Sequence, residues 1–308
     1  MAAFHNNLSL FLIVLLLSLL TASNGSNKNN NGEEKVEFTY SGERGPDKWG
    51  TLSPDLRVCS EGKHQSPINI VRKDAVWNSN LKPLKRNYIP ANATLVNNVV
   101  NIMMKYNQNV GTVVVNEKKY HLKQMHWHSP AEHTIDGVRH PVELHLVHFN
   151  DDGNITVVSI LYKYGNEDEL LLKVVYLSVL FPLLQLLSKK SHIIKKGRLD
   201  HQIKDKVDEL AKDKNATHIP VGVINTKALK QGSQKYYRYI GSLTAPPCTE
   251  NAIGNIAVKV REMSEEQAAS VRTPLDVKYK QNARPIQALN GRTVEVFDIK
   301  RLTKHTEY

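Results

Sequence analysis

Lys123-Gln124-Met125-His126-Trp127-His128 is the stretch on which the reading of this chain turns, together with a later run, Glu143-Leu144-His145-Leu146-Val147-His148. In an extended strand, residues two apart share a face. Gln124, His126 and His128 therefore point one way, and Met125 and Trp127 the other. In the second run Glu143, His145 and Val147 share a face, opposite Leu144, Leu146 and His148. A turn signal, Asp136-Gly137, lies between the runs; if they form neighbouring strands, three imidazoles converge on one point. Three neutral nitrogen ligands with an open fourth position describe a catalytic zinc (Zn2+) site, since a structural site would be closed by a fourth protein ligand. Gln124 and Glu143 are placed to accept N–H bonds from the ligand imidazoles and so fix their tautomers.

Outward from these runs the pattern stays strand-like. Ala93–Val100, Ile102–Tyr106, Val110–Val115, Tyr120–His128, Val142–Phe149 and Ile155–Tyr162 are short runs rich in β-branched and aromatic residues, separated by turn signals such as Asn107-Gln108-Asn109 and Asp151-Asp152-Gly153. Strands that follow one another across such short turns pair antiparallel. Helical period comes late, at Leu199, Ile203, Val207 and Leu210, and again over Ser264–Val271, where Ser264 and Gln267 make a capping box. The expected class is mainly β (α+β): a large twisted, mostly antiparallel central sheet with peripheral helices.

The chain has 308 residues, 41% of them hydrophobic, and two cysteines, which excludes both a disordered polyelectrolyte and a disulfide-dense mini-scaffold. Leu10–Leu20 is apolar except for Ser18 and is followed by small and polar residues. That predicts a signal peptide over 1–24, with an uncleaved anchor as the alternative, because the run is too short to span a membrane. Residues 25–37 read as a flexible polar lead, 38–300 as the folded domain and 301–308 as a tail. Asn92, Asn154 and Asn215 open N-glycosylation sequons, and Cys59 and Cys248 can pair in an oxidising compartment or remain two unrelated thiols.

His126-x-His128 followed by Glu132 also has the spacing of a cupin metal motif, with Glu132 as a ligand in a jelly roll, but the glycines that punctuate that motif are missing. Four stretches together resemble another family. Gln65-Ser66-Pro67-Ile68-Asn69-Ile70, the Gln124–His128 run with Glu132-His133-Thr134, the Glu143–His148 run, and Tyr237–Glu250 (YRYIGSLTAPPCTE) are similar in order and spacing to the α-class carbonic anhydrases, particularly the plant secreted branch. The resemblance implies zinc held by His126, His128 and His145 and reversible hydration of carbon dioxide to bicarbonate and a proton by hydroxide generated on the metal. It implies that Thr244 orients this hydroxide through Glu132, and that Val147, Val157 and Leu243 wall the substrate pocket, with Ala245 beside it. Cys59–Cys248 would be the secreted-branch disulfide. The expected location is the secretory pathway, ending outside the cell (the apoplast) or in a plastid reached by that route.

Three departures bear on activity. The family's Asn-Asn-Gly-His proton-shuttle segment reads Asn97-Asn98-Val99-Val100, so a valine stands in place of the shuttle imidazole. Ala245 replaces a threonine near the bicarbonate position, and Gly254 replaces the tryptophan that closes the apolar pocket, leaving a void or a rearranged wall. A catalytically weak or inactive storage or binding protein is therefore the competing expectation. Residues 171–198 break the pattern: an aliphatic run with Pro182, then a basic tail, read as a surface insertion. Lys173, Lys189, Lys190, Lys195, Lys196 and Arg198 in it, with no acid, account for six of the chain's net +11. Without them no basic stripe with interleaved aromatics suggests nucleic acid as a partner. The expected partners are carbon dioxide and bicarbonate, with no stable membrane span.

Overall fold

Alternating apolar positions build a thirteen-stranded twisted sheet among the described residues, ten strands of which follow one another along its main path. The computed structural model describes residues 36–168, 170, 218–226, 229, 234–272 and 274–305. Those ten are β1 (Val76–Trp77), β2 (Ala91–Asn97), β3 (Ile102–Lys105), β4 (Lys118–His128), β5 (Val142–Phe149), β6 (Ile155–Tyr164), β7 (His218–Ile224), β8 (Lys235–Ser242), β9 (Glu250–Ala257) and β10 (Glu295–Asp298). Their order across the sheet is β7-β2-β3-β4-β5-β6-β9-β8-β10-β1. Only β6–β9 and β10–β1 pair in parallel along this path, so the sheet is mostly antiparallel, as expected. Helices are short and peripheral: α1 (Val58–Glu61), α2 (Glu265–Ser270) and α3 (Ile299–His305). The capping box of α2 forms, with the Gln267 amide donating to Ser264 Oγ and the Ser264 amide to Gln267 Oε1, each at 3.2 Å. The helical period at 199–210, the insertion at 171–198 and Asn215 lie outside the described residues.

Register places the histidines. In the β4–β5 ladder His145 faces His126 and Glu143 faces His128, so the cavity side and the core side are fixed by alternation. Met125, Trp127, Leu144 and Leu146 turn to the opposite side and join the main core with Met104, Val158 and Ile160. Burial of such side chains contributes about 1.5–3 kcal/mol each, and a one-residue slip would move all of them to the wrong face. Between Val147–Gln124 and His148–Leu122 the ladder skips Lys123, a β-bulge in β4. Below it the parity of β4 reverses.

One buried cation ties the N-terminal segment to the loop that carries Glu132. Arg284, 1% exposed, donates to Cys59 O at 2.7 Å, Gln65 Oε1 at 2.8 Å and Ser66 O at 2.9 Å, while its backbone amide donates to Glu132 Oε1 at 2.9 Å. Burial pulls its pKa down to about 10, which still leaves it charged at neutral pH. The Cys59–Cys248 disulfide forms, joining α1 to the loop between β8 and β9 with a Cα–Cα separation of 5.1 Å.

Val99 adopts φ +64°, the left-handed region that L residues other than Asn, Asp and Gly avoid. Its turn is closed by Asn98 N to Asn101 O at 2.9 Å. Replacing Val99 with glycine should therefore stabilise the fold by about 1 kcal/mol, measured as a rise in the urea midpoint. His148 gives the pH dependence. It is fully buried, bonded to Tyr88 OH at 2.7 Å, and burial holds its pKa down to about 3. The unfolded ring titrates near 6.5, so between these values the unfolded chain binds the extra proton and the native one does not. Stability should fall as pH drops from 6.5 toward 3, by up to about 1.4 kcal/mol per unit from this group, and His148→Gln should flatten that slope in acid-unfolding curves.

Candidate metal centre

Each of the three imidazoles spends one nitrogen on a fixed acceptor. His126 Nδ1 donates to Gln124 Oε1 at 2.8 Å, His128 Nδ1 to the backbone carbonyl of Asn282 at 2.7 Å, and His145 Nε2 to Glu143 Oε1 at 2.7 Å. The remaining nitrogens, Nε2 of His126 and His128 and Nδ1 of His145, turn toward one another. The rings lie 4.8 to 5.2 Å apart between centroids. One ligand atom from each of the three can be chosen so that all lie within 4.8 Å of one another. His128 Nε2 is buried with no hydrogen-bond partner. An orphaned lone pair of this kind costs about 1–3 kcal/mol unless something takes it up. Burial, reinforced for His126 by the neighbouring imidazoles, holds the pKa of His126 well below the usual range and that of His128 down to about 4, so these two rings are neutral donors at physiological pH. The residues fit a zinc ion: three inward ring nitrogens with oriented outer partners.

Glu143 does more than orient His145. Its carboxylate is fully buried and accepts four hydrogen bonds, from the amides of Glu132 and His133 at 2.9 and 2.8 Å, from His133 Nδ1 at 2.6 Å and from His145 Nε2 at 2.7 Å. Burial alone would raise its pKa; His133 and His145 hold it well below the ordinary value. His133 continues the chain to Tyr239 OH at 2.8 Å, and Tyr239 to Ser66 Oγ at 2.7 Å. Burial works against charge on His133, but Glu143 and Tyr239 carry its pKa up to about 10.

Glu132 stands beside the trio, its Oε2 3.4 Å from His128 Nε2 and 3.9 Å from His145 Nδ1. Burial pushes its pKa up to about 7, with the Glu143 charge adding, while His145, the Arg284 amide and the Thr244 hydroxyl pull it down. Thr244 is thus close enough to favour the ionised form, although Glu132 Oε2 makes no hydrogen bond of regular geometry. The Thr244 loop is fixed by Leu243 N to Thr249 O at 3.0 Å and Cys248 N to Ala245 O at 2.9 Å. Val147, Val157 and Leu243 come together as an apolar wall with Ile155 and Ala252.

These groups open onto a cavity of about 790 Å³. Val100 and Ala245 are among the residues that line it. At Gly254 the wall is rearranged: a Cβ there would meet Tyr239 Cε1 at 2.8 Å, so the tyrosine ring occupies the adjoining space. The cavity also reaches Ser66, His133, Ser159 and Ser242. Sequence reasoning missed the Asn282 carbonyl, Arg284 and the His133–Tyr239–Ser66 chain. Motif residues signalled the last of these, but nothing in the sequence signals a backbone acceptor. Asn92 and Asn154 are exposed, and no helix among the described residues is long and apolar enough to cross a membrane.

The sequence pattern of the eukaryotic-type carbonic anhydrases matches residues 44–297. Alpha carbonic anhydrase 7 of Arabidopsis thaliana is 34% identical over 95% of this chain and 98% of its own length. Dioscorin DB3L of Dioscorea polystachya is 32% identical, with 93% and 94% covered. Among solved structures, dioscorin complexed with ascorbate superposes with a TM-score of 0.71 at 31% identity, covering 85% of this chain and 98% of that one. The α-carbonic anhydrase of Thermovibrio ammonificans, bound to the inhibitor sulfanilamide, gives 0.67 at 33% identity, covering 85% and 99%. The chain belongs to the α-carbonic anhydrase family.

Gln124→Ala should weaken zinc binding by roughly 10- to 100-fold, the range known for such outer partners in zinc enzymes, carbonic anhydrase among them. Competition with a chelator, followed by zinc release, measures it.

Proposed function

We propose that this protein hydrates carbon dioxide reversibly to bicarbonate and a proton, with zinc held by His126, His128 and His145. The observation that carries this reading is the set of three inward ring nitrogens, each opposite a nitrogen already committed to Gln124, Asn282 or Glu143. Zinc bound there supplies the nucleophile by lowering the pKa of a coordinated water to about 7, an effect for which carbonic anhydrase is the reference case. Val147, Val157 and Leu243 hold the uncharged, linear substrate in an apolar wall, where water competes poorly. Thr244, close to Glu132, would donate its hydroxyl hydrogen bond to that carboxylate and so be left to accept one from the nucleophile, holding it toward the substrate carbon. Ala245 contributes no hydroxyl to bicarbonate, and Val100 cannot carry a proton.

The disulfide and the plant relatives support a protein of the secretory pathway, with a signal peptide over 1–24, glycans on Asn92 and Asn154, and the apoplast or a plastid as its destination. A second reading, a binding protein of low turnover, is favoured by the cavity's extension past Gly254 to Ser66 and Ser159 and by the likeness to a dioscorin that holds ascorbate.

Zinc analysis together with stopped-flow carbon dioxide hydration separates the two. The enzyme reading expects one zinc per chain, hydration abolished by a metal-ligating sulfonamide, and turnover that rises with imidazole buffer. Thr244→Ala should keep the zinc and lose roughly 10²-fold in turnover. Zinc-loaded protein without inhibitable hydration overturns this reading in favour of the binding protein.

A further inference from the structure

Hydration releases a proton at the cavity floor, and that proton has to reach solvent before the next turnover. Among the described residues lining the cavity, the side chains with an ordinary pKa near neutrality are histidines. His126, His128, His133 and His145 are committed at the floor. The fifth is His121, at the mouth.

Strand parity places His121 on the wrong side: it lies an odd number of residues from His126, so simple alternation turns it into the core with Met125. The bulge at Lys123 reverses this. Phe149 pairs with His121 below the bulge, and both side chains face the cavity that contains His126. His121 Nε2 lies 3.7 Å from Asp151 Oδ1, and the His121 side chain is about one-third exposed, at 35%. It thus reaches both the cavity and bulk solvent. Other charged groups at the mouth are Lys105, Lys123 and Asp152, the last bonded to Lys118 at 3.0 Å. Lysine ammonium groups are already protonated at neutral pH, and aspartates hold protons poorly there.

Resting on the carbon dioxide hydration reading, we propose that His121 is the proton-relay residue of this chain, taking the role that Val100 cannot perform. Five residues of strand rise put it about 15 Å from His126, so the proton crosses on the waters of a polar-mouthed cavity rather than by direct transfer. One O–H bond breaks in the floor water and one N–H bond forms on the unprotonated ring nitrogen. The imidazolium then releases the proton to solvent or buffer.

Oxygen-18 exchange between carbon dioxide and water tests this on the zinc-loaded, full-length protein, because it reads carbon dioxide–bicarbonate interconversion separately from proton-dependent release of labelled water. In weak buffer, His121→Ala and His121→Gln should leave interconversion unchanged and lower water release by roughly 10-fold, less than a directly placed acid–base group contributes because the relay runs through water. Imidazole should restore both variants to the level of the unmodified chain. Absent interconversion in the unmodified chain sinks the hydration reading itself. Normal interconversion with equal water release in all three proteins overturns the relay alone, as does a deficit that imidazole does not repair.

Discussion

The buried carboxylate of Glu143 is the constraint on which the rest of the site depends. A carboxylate taken fully out of water costs several kcal/mol unless its lone pairs are filled, and here four donors fill them. Two are backbone amides of the segment that carries Glu132, so the same charge that orients His145 also anchors the residue beside Thr244. The third and fourth come from His133 and His145 themselves. Through His133, Tyr239 and Ser66 the network crosses to the Ser242 amide, which donates to Ser66 Oγ at 2.9 Å at the start of the Thr244 loop. His145, the segment that carries Glu132 and the start of the Thr244 loop are thus positioned by one chain of hydrogen bonds.

The parts that lack this support are those that differ from the family. Val100 sits after a turn whose left-handed position is filled by Val99, so the backbone keeps a shape suited to glycine while the side chains have changed. Gly254 lies opposite Val157 in one ladder and Tyr239 in the other, and the Tyr239 ring stands where a larger side chain would begin. None of these positions touches the three inward nitrogens. Ligand geometry and substrate or proton traffic are separable in this fold.

The sheet and the metal trio were legible because both follow from alternation: a period of two puts Leu144 and Leu146 in the core and His145 in the cavity without further information. Gln124 and Glu143 were legible for the same reason. The acceptor for His128 was not, since a backbone carbonyl at Asn282 carries no side-chain signature and arrives from far along the chain. Arg284 was equally silent, its role being set by the carbonyls of Cys59 and Ser66. His121 is hidden from the rule that succeeds elsewhere, because one extra residue in β4 inverts the count.

That inversion depends on one residue standing outside the ladder: Lys123 has no partner in β5, while Leu122 and Gln124 on either side of it do. Removing that residue would leave a regular ladder in which Leu122 still faces the core and His121 the cavity, whereas drawing it into the pairing would exchange the two, sending an imidazole into the core and a leucine to the cavity mouth. A deletion at this point is therefore mild, whereas a shift of register over the same residues turns a whole strand segment inside out.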